Sequence, residues 1–375
     1  MAKSAKRRAP LWARISLIFG CVFLVLGGGG LVTGQALMSK YAGAVTDNTL
    51  LEDQPAEAAP RKDLKGALNV LLVGIDPRDT DTPPLSDSII VAHIPEDRSR
   101  AYLFSLPRDL YVTIPSFPKA GVREHQAKIN AAMSVGSHVG NGKYSNQQGF
   151  QLLSKTVSGV TGIEKFDAGA IINFGGFKKI VDAMDGVTMV IDQDVVSEHL
   201  QPNGKPRARK PGCQGHHRCS RPYTGPQKAY KKSAKPVHLE AWEALDYVRQ
   251  RYGLPRTDYD RQRHQQQFIK AMAKQAMSKD VVTDPGKLLK VMGAAGDSLT
   301  FAGGDHTIVD WALELRGINT DDMTTINLPG GGLGVGSDYR GEQFSPEVGD
   351  FFAAVRENRV GQFLLDHPGF VNKED

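Results

Sequence analysis

Leu68-Asn69-Val70-Leu71-Leu72-Val73-Gly74-Ile75-Asp76 is a near-continuous apolar run that ends at a carboxylate, with Pro77 directly after it. Such a run reads as a strand buried on both faces, the kind found in sheets with helices on either side. Comparable runs rich in Val, Ile and Leu lie at 88–94, 101–106, 168–173 and 187–191, and a later one opens near 323 and closes by 329. Helical periodicity marks 147–157, 177–184, 240–249, 260–277, 286–292 and 306–315. The alternation predicts an α/β fold, a central mixed β-sheet covered by helices on both faces. Ligands of such sheets sit beyond the strand ends, where loops and helix starts gather.

The strand ends carry the polar chemistry. Asp76 closes the first run, Asp87 (in Ser86-Asp87-Ser88-Ile89-Ile90) opens the next, and Ser105-Leu106-Pro107-Arg108-Asp109 closes the third. Two carboxylates on neighbouring strands can share one Mg2+, which takes few carboxylates and fills its shell with phosphate oxygens and water; Mn2+ is the alternative cation. A lone strand-end Asp is more often a turn former, and Arg108 can equally make a plain salt bridge. A second cluster is more specific. Ala241, Leu245 and Val248 share one helix face, Arg249 and Arg251 follow at its end, and Arg261 and Gln265 recur four apart on the next helix. Arginines at a helix end complement its dipole. Four long donors flanking one turn exceed that need, and guanidinium forks grip phosphate oxygens. The two clusters together describe a site for a metal-bound pyrophosphate. His264 and Gln266 flank it, His264 reading as a surface residue or one set just behind the site.

The N-terminus points to a membrane. Lys3, Lys6, Arg7, Arg8 and Arg14 precede an uncharged run at 15–39, long enough to span a bilayer. This predicts a cytoplasmic basic tail at 1–14, a transmembrane signal anchor at 15–39, a linker at 40–66 and an extracellular domain at 67–375 of a bacterial cell-membrane protein. A cleaved signal peptide is the competing reading, since Gly34-Gln35-Ala36 resembles a cleavage site. Gly27 to Gly30 lie inside the run and follow no strand, which sets aside a phosphate loop.

Charge is uneven. The loop at 199–239 holds ten Lys or Arg and no acid, and the N-terminal tail adds five, so the formal total of +5 leaves −10 for the remainder. A basic extracellular loop suits anionic headgroups or an acidic polymer; the plainer reading is a solvated, partly disordered insertion. Nucleic acid is not expected, because the loop faces outward and offers few aromatics to stack on bases. Cys213 and Cys219 lie in this loop. In an oxidising compartment they close a small disulfide loop, whereas His216 and His217 between them leave a metal site as the alternative.

At these residues the chain resembles the LytR-CpsA-Psr family of cell-wall glycopolymer transferases, over about 68–360. The resemblance rests on ordered blocks: 69–76, Ser86-Asp87-Ser88, Ser105-Leu106-Pro107-Arg108-Asp109, Lys128-Ile129-Asn130-Ala131-Ala132, 174–187, 244–251 and 258–266. It implies that Asp76 and Asp87 bind Mg2+ on a polyprenyl pyrophosphate and that Arg108, Arg249, Arg251, Arg261 and Gln265 hold its oxygens. It further implies transfer of a phosphate-linked anionic glycopolymer to a peptidoglycan hydroxyl, with Asp109 as a base or as an orienting partner of Arg108. Ser137, His264 and the long basic loop depart from the family pattern. A non-catalytic scaffold for polyprenyl lipid or wall polymer would use the same arginines without needing the carboxylate pair, and a pyrophosphatase would use water as acceptor.

Overall fold

The structure, a computed structural model, describes residues 50–51, 64–76, 82–213, 219, 221–276, 290–291, 293–294, 299–304, 306, 311, 314–315 and 318–373. In chain order its strands are β1 (Leu68–Ile75), β2 (Ser86–Ile94), β3 (Ala101–Ser105), β4 (Tyr111–Ile114), β5 (His125–Lys128), β6 (Ala168–Asn173), β7 (Val187–Ile191), β8 (Val195–Val196), β9 (Ala208–Arg209), β10 (Tyr223–Thr224), β11 (Ala229–Tyr230), β12 (Ser233–Leu239), β13 (Leu299–Ala302), β14 (Met323–Ile326), β15 (Gly330–Leu333) and β16 (Gly341–Phe344). The helices that matter below are α1 (Asn130–Gly136), α2 (Asn146–Thr161), α3 (Phe174–Ala183), α4 (Ala241–Tyr247), α5 (Asp258–Ala276), α6 (Val348–Arg356) and α7 (Val360–Asp366).

The central sheet runs β13-β6-β1-β2-β3-β14. It is mixed: β1 pairs β2 antiparallel and β6 parallel, and β3 pairs β14 parallel. The two-residue period of a strand sends alternate side chains to opposite faces. Leu71, Val73 and Ile75 enter the larger core with Phe150, Leu153 and Phe351, whereas Leu68 and Val70 enter another with Phe301 and Trp311. Each fully buried Leu or Phe contributes roughly 1.5–3 kcal/mol of transfer free energy, and both faces are covered as expected. A third core joins α3, α4 and α5 to the β7–β12 ribbon.

Local chemistry sets the elements at the site. Asn173 ends β6 beside Ile75, and its Oδ1 accepts from Gly176 N at 2.7 Å, starting α3 directly at the sheet edge. This helix begins at Phe174, three residues earlier than periodicity indicates. Ser145 caps α2 by accepting from Gln148 N. The turn from α3 to β7 needs Gly186: its φ is +93°, and a Cβ there would lie 2.6 Å from the Leu239 carbonyl oxygen.

Several expectations change. Residues 187–191 form a strand but belong to the separate β7–β12 ribbon, not to the central sheet. Leu50 and Leu51, inside the expected linker, are buried in the main core, so the stretch is not a free spacer throughout. The described part of the basic loop is ordered into short strand pairs, β9–β10 and β8–β11, not an unstructured insertion. Among the described residues no helix is long and apolar enough to cross a membrane; the expected span at 15–39 lies outside them, as do most of the expected helices at 286–292 and 306–315.

Candidate functional site

The antiparallel pairing of β1 and β2 brings Ile75 opposite Ser86, so Asp76 and Asp87 lie at the same end of the sheet. Ile90 pairs Ser105, which delivers Arg108 from β3 to that end too. From the other side α4 ends at Tyr247 and leaves Arg249 and Arg251 in the turn before α5, whose first two turns carry Arg261 and Gln265. The result is a cavity of about 540 Å³ lined by Asp76, Asp87, Arg108, Arg249, Arg251, Arg261 and Gln265. Asn130, Phe174, His199 and Tyr252 also line it.

Four guanidiniums against two carboxylates give the cavity a net +2 with His199 neutral. Asp87 takes an ion pair from Arg108, and its carbonyl accepts from Arg261 Nη2 at 3.1 Å. Asp76 pairs with Arg249 at 3.0 Å, and the Arg249 guanidinium lies 4.3 Å from the centre of the Phe174 ring. Arg261 also pairs with Asp258 at 2.7 Å. Gln265 accepts from the Ser88 hydroxyl at 2.9 Å. Burial would weaken the proton hold of Arg108, but Asp87, Asp258 and Asp109 outweigh it and raise its pKa. Arg261, buried among these groups, is lowered by desolvation.

Arg108 and Arg261 each keep a buried Nε with no hydrogen-bond acceptor. A buried donor without a partner is costly, and Arg108 and Arg261 both line the cavity, where their guanidiniums offer positive charge to an anion. The carboxylates fit a divalent cation in type and number, since Mg2+ is held by one or two carboxylates plus phosphate oxygens. Among the described residues no group of three or more His, Cys, Asp or Glu is gathered as a metal cage.

Asp109 does not line the cavity. Its carboxylate faces Lys128 Nζ at 3.2 Å, and Arg108 Nε lies 4.0 Å away. His264 is not at the surface either: it is fully buried, stacked on Tyr247 with 4.5 Å between ring centres, its Nε2 3.2 Å from Asp192. Asp192 also accepts from Arg263 Nε at 2.6 Å and from Gln267 Nε2 at 2.9 Å. Burial pushes the Asp192 carboxyl up, yet its hydrogen bonds to His264 and Gln267 and the charge of Arg263 hold it below the usual carboxylate range. This anchors the back of α5 and turns Arg261 and Gln265 toward the cavity. Gln266 is likewise buried, donating to Ser105 Oγ at 2.9 Å and to the Ile326 carbonyl at 3.1 Å.

His199, Phe174, Asn130 and Tyr252 were not expected at the site. Asn130 stands in the Lys128-Ile129-Asn130 block, and Phe174 opens the 174–187 block, so both were within reach of the sequence. His199 lies half-buried in the cavity wall. Burial, then the charges of Arg249, Arg207 and Arg251, lower its pKa.

An apolar cavity of about 170 Å³ adjoins this one between the sheet and α5. Leu72, Ala170, Phe177, Leu245, Phe268 and Met272 are among its walls, and Phe174 and Gln265 line both cavities. Cys213 and Cys219 are joined as a disulfide, with 5.8 Å between Cα atoms.

A model described as the LytR_cpsA_psr family matches residues 35–347. The cell wall biosynthesis protein LcpA of Corynebacterium glutamicum is 25% identical over 350 residues, which cover 89% of this chain and 58% of LcpA. The chain therefore spans less than two thirds of that relative. The polyisoprenyl-teichoic acid–peptidoglycan teichoic acid transferase TagU of Oceanobacillus iheyensis is 27% identical over 296 residues, 77% of this chain and 76% of TagU. Among solved structures, Bacillus subtilis TagV has a TM-score of 0.50 at 20% identity, covering 82% of this chain and 99% of TagV. A structure of TagT bound to LI-WTA has a TM-score of 0.53 at 19% identity, covering 82% and 96%. At such identities the likeness to these structures is one of fold.

Proposed function

The chain belongs to the LytR-CpsA-Psr family, and from that membership we propose that it transfers a phosphate-linked glycopolymer from a polyprenyl pyrophosphate carrier to a peptidoglycan hydroxyl at the outer face of the cell membrane. One observation carries the reading: a cationic cavity lined by four arginines shares Phe174 and Gln265 with an apolar cavity. A pyrophosphate with an isoprenoid tail has that pairing of chemistries. Its polar head takes the arginines, and the first units of its tail take the apolar walls.

Arg108, Arg249, Arg251 and Arg261 hold the diphosphate oxygens by charge-assisted hydrogen bonds. Asp76 and Asp87 would hold Mg2+, which when bound supplies further neutralisation of the diphosphate charge. Phosphoryl transfer depends on positioning and charge stabilisation more than on covalent protein chemistry. The acceptor hydroxyl oxygen attacks the phosphorus that bears the glycopolymer. The bond from that phosphorus to the bridging oxygen breaks, and polyprenyl phosphate leaves with the electron pair. The arginines counter the charge that grows on the leaving phosphate. His199 lines the cavity as a neutral imidazole and takes the hydroxyl proton. Asp109, turned toward Lys128, orients its neighbours instead.

The test uses the detergent-solubilised full chain with a lipid-linked saccharide and a peptidoglycan oligomer. Mass spectrometry should find the saccharide phosphate covalently joined to the oligomer, with yield falling on chelation of divalent cations. Tight lipid binding with no product at any metal concentration would replace the transferase with a scaffold.

A further inference from the structure

The basic lobe at 199–239 does not stand apart from the cavity. Of its ten cations, Arg207 lies 3.8 Å from Glu198, Lys228 pairs with Glu243 and Lys231 pairs with Asp194 at 2.8 Å. Lys205, Arg209, Lys210, Arg221, Lys232 and Lys235 are exposed and, among the described residues, have no carboxylate partner. The aromatic rings near them are ordered in sequence from the cavity outward. Tyr252 and His199 line the cavity itself. The guanidinium of Arg221 lies 5.9 Å from the Tyr252 ring centre, that of Arg209 lies 5.5 Å from the Tyr223 ring centre, and His199 packs edge-on to Tyr223 at 5.2 Å. Arg209 and Tyr223 face each other as partners in the β9–β10 pair. The Cys213–Cys219 disulfide links the two sides of the chain between β9 and β10, and Arg209 reaches the Cys213 carbonyl at 3.5 Å.

We propose that this lobe is a docking track for the anionic polysaccharide carried on the diphosphate, leading out of the cavity past His199 and Tyr252 along Tyr223, Arg209 and Arg221. The proposal rests on the transferase reading and names the class of its donor polymer as one bearing phosphate or carboxylate groups. Tyrosine rings accept the apolar face of a sugar, and arginine forks beside them accept its anionic substituents. A cross-linked strand pair presents these groups in a preset arrangement, which limits the ordering lost on binding. A membrane-contact surface is the other use for such charge. Contacts of that kind pair cations with several apolar side chains that enter the lipid, and among the described residues of this lobe Val196, paired with Ala229, is the one exposed large aliphatic side chain, too few for such a face.

The experiment compares the wild-type full chain with a Lys205→Ser/Arg209→Ser/Lys210→Ser/Lys232→Ser variant, all exposed positions that leave the cavity and disulfide intact. Both are reconstituted in vesicles with and without phosphatidylglycerol. Donors carry either two sugars or a long poly(glycerol phosphate) chain. The variant should raise KM for the long donor at least about fourfold, as four lost exposed charge contacts together give, and leave the short donor unchanged. Binding of free poly(glycerol phosphate), read by calorimetry, should weaken in parallel. Equal KM values for the long donor would overturn the proposal, as would a deficit that follows phosphatidylglycerol content and not donor length. If the wild type transfers neither donor, the transferase reading falls, and the free-polymer binding still decides the track.

Discussion

Arg249 reaches Asp76 across the cavity mouth, Nη2 to Oδ2 3.0 Å, and joins positions 173 apart in sequence. The pair ties the end of β1 to the turn after α4. Their side chains are 40% and 31% exposed, so solvent screens the bond and its worth is at most about 1 kcal/mol. The pair therefore matters for the site far more than for the fold. Asp76→Ala should move Tm by no more than about 4 °C. Transfer should fall at least about 100-fold, and the remaining activity should lose its dependence on divalent cation. Wild-type transfer in this variant would remove Asp76 from the site.

Arg251 lines the cavity without a carboxylate partner among the described residues. Among the described residues its guanidinium meets the ring and hydroxyl of Tyr252. A charge-assisted phosphate contact is worth roughly 1.5–3 kcal/mol. Arg251→Ala should thus weaken carrier-lipid binding by about 10- to 150-fold, with rate falling as well. Arg251→Lys should recover part of the affinity, because a point charge does not reproduce a two-pronged fork. Titration with a short-chain polyprenyl pyrophosphate measures both.

His199 offers a kinetic signature. As the group that takes the hydroxyl proton, its loss in His199→Gln should cut kcat about 100-fold or more with little change in KM for the lipid. The fall in rate on the acid side of the wild-type profile tracks protonation of the imidazole. Its pKa is lowered by burial and nearby arginines, so the wild type should stay active somewhat below pH 6.5, and the variant's profile should be flat there. A variant profile that keeps the wild-type acid limb would assign the proton to another group.

The apolar cavity separates tail from head. Ala170 lines it from β6, beneath α5. Ala170→Phe should fill much of the 170 Å³ and abolish co-purification of polyprenyl lipid, while affinity for inorganic pyrophosphate stays within about twofold. Retention of the lipid would place the tail elsewhere. Overpacking a core costs about 1–3 kcal/mol, so a melting curve accompanies the measurement.

Five strands of the central sheet were legible because burial on both faces leaves an apolar run, as in β1 and β6, whereas the four-residue edge strand β13 was not expected. The seven residues expected to meet metal and pyrophosphate do line one cavity, since strand ends and helix starts are sequence-local signals. What periodicity missed has physical reasons. β12 carries Lys235 and Pro236 and, among the described residues, pairs with β7 alone, so it lacks a two-faced apolar pattern. The β15–β16 hairpin begins with three glycines and has almost no side chains to count. His199 enters the cavity through two-residue strand pairings, too short to leave a period. His264 gave a polar signal but lies on the buried face of α5, where Asp192 supplies its partner from 72 positions away.

His93 makes the fold itself pH-sensitive. It lies on β2 between Asn69 of β1 and Tyr102 of β3, fully buried, its Nδ1 2.9 Å from Asn69 Oδ1. Burial lowers its pKa from 6.5 to about 4, and the side chain of Asn358 offsets only part of that. Between those values the unfolded chain binds a proton that the folded chain refuses. Stability is therefore whole above pH 6.5 and declines as pH falls toward 4. At 1.36 kcal/mol per unit the loss at pH 4.5 is about 2–3 kcal/mol. Asp167, which accepts from Asn69 N at 2.7 Å, has its carboxyl pushed up by burial and so acts in the opposite direction. A comparison of two chains that share Asp167 cancels it. His93→Phe keeps the ring contact with Tyr102 and loses about 1 kcal/mol at pH 7.5 with the Asn69 bond. Its urea-unfolding free energy should then change less between pH 7.5 and 4.5 than that of the wild type, by the same 2–3 kcal/mol. Parallel pH curves for the two proteins would show that His93 is protonated in the fold as readily as in the open chain.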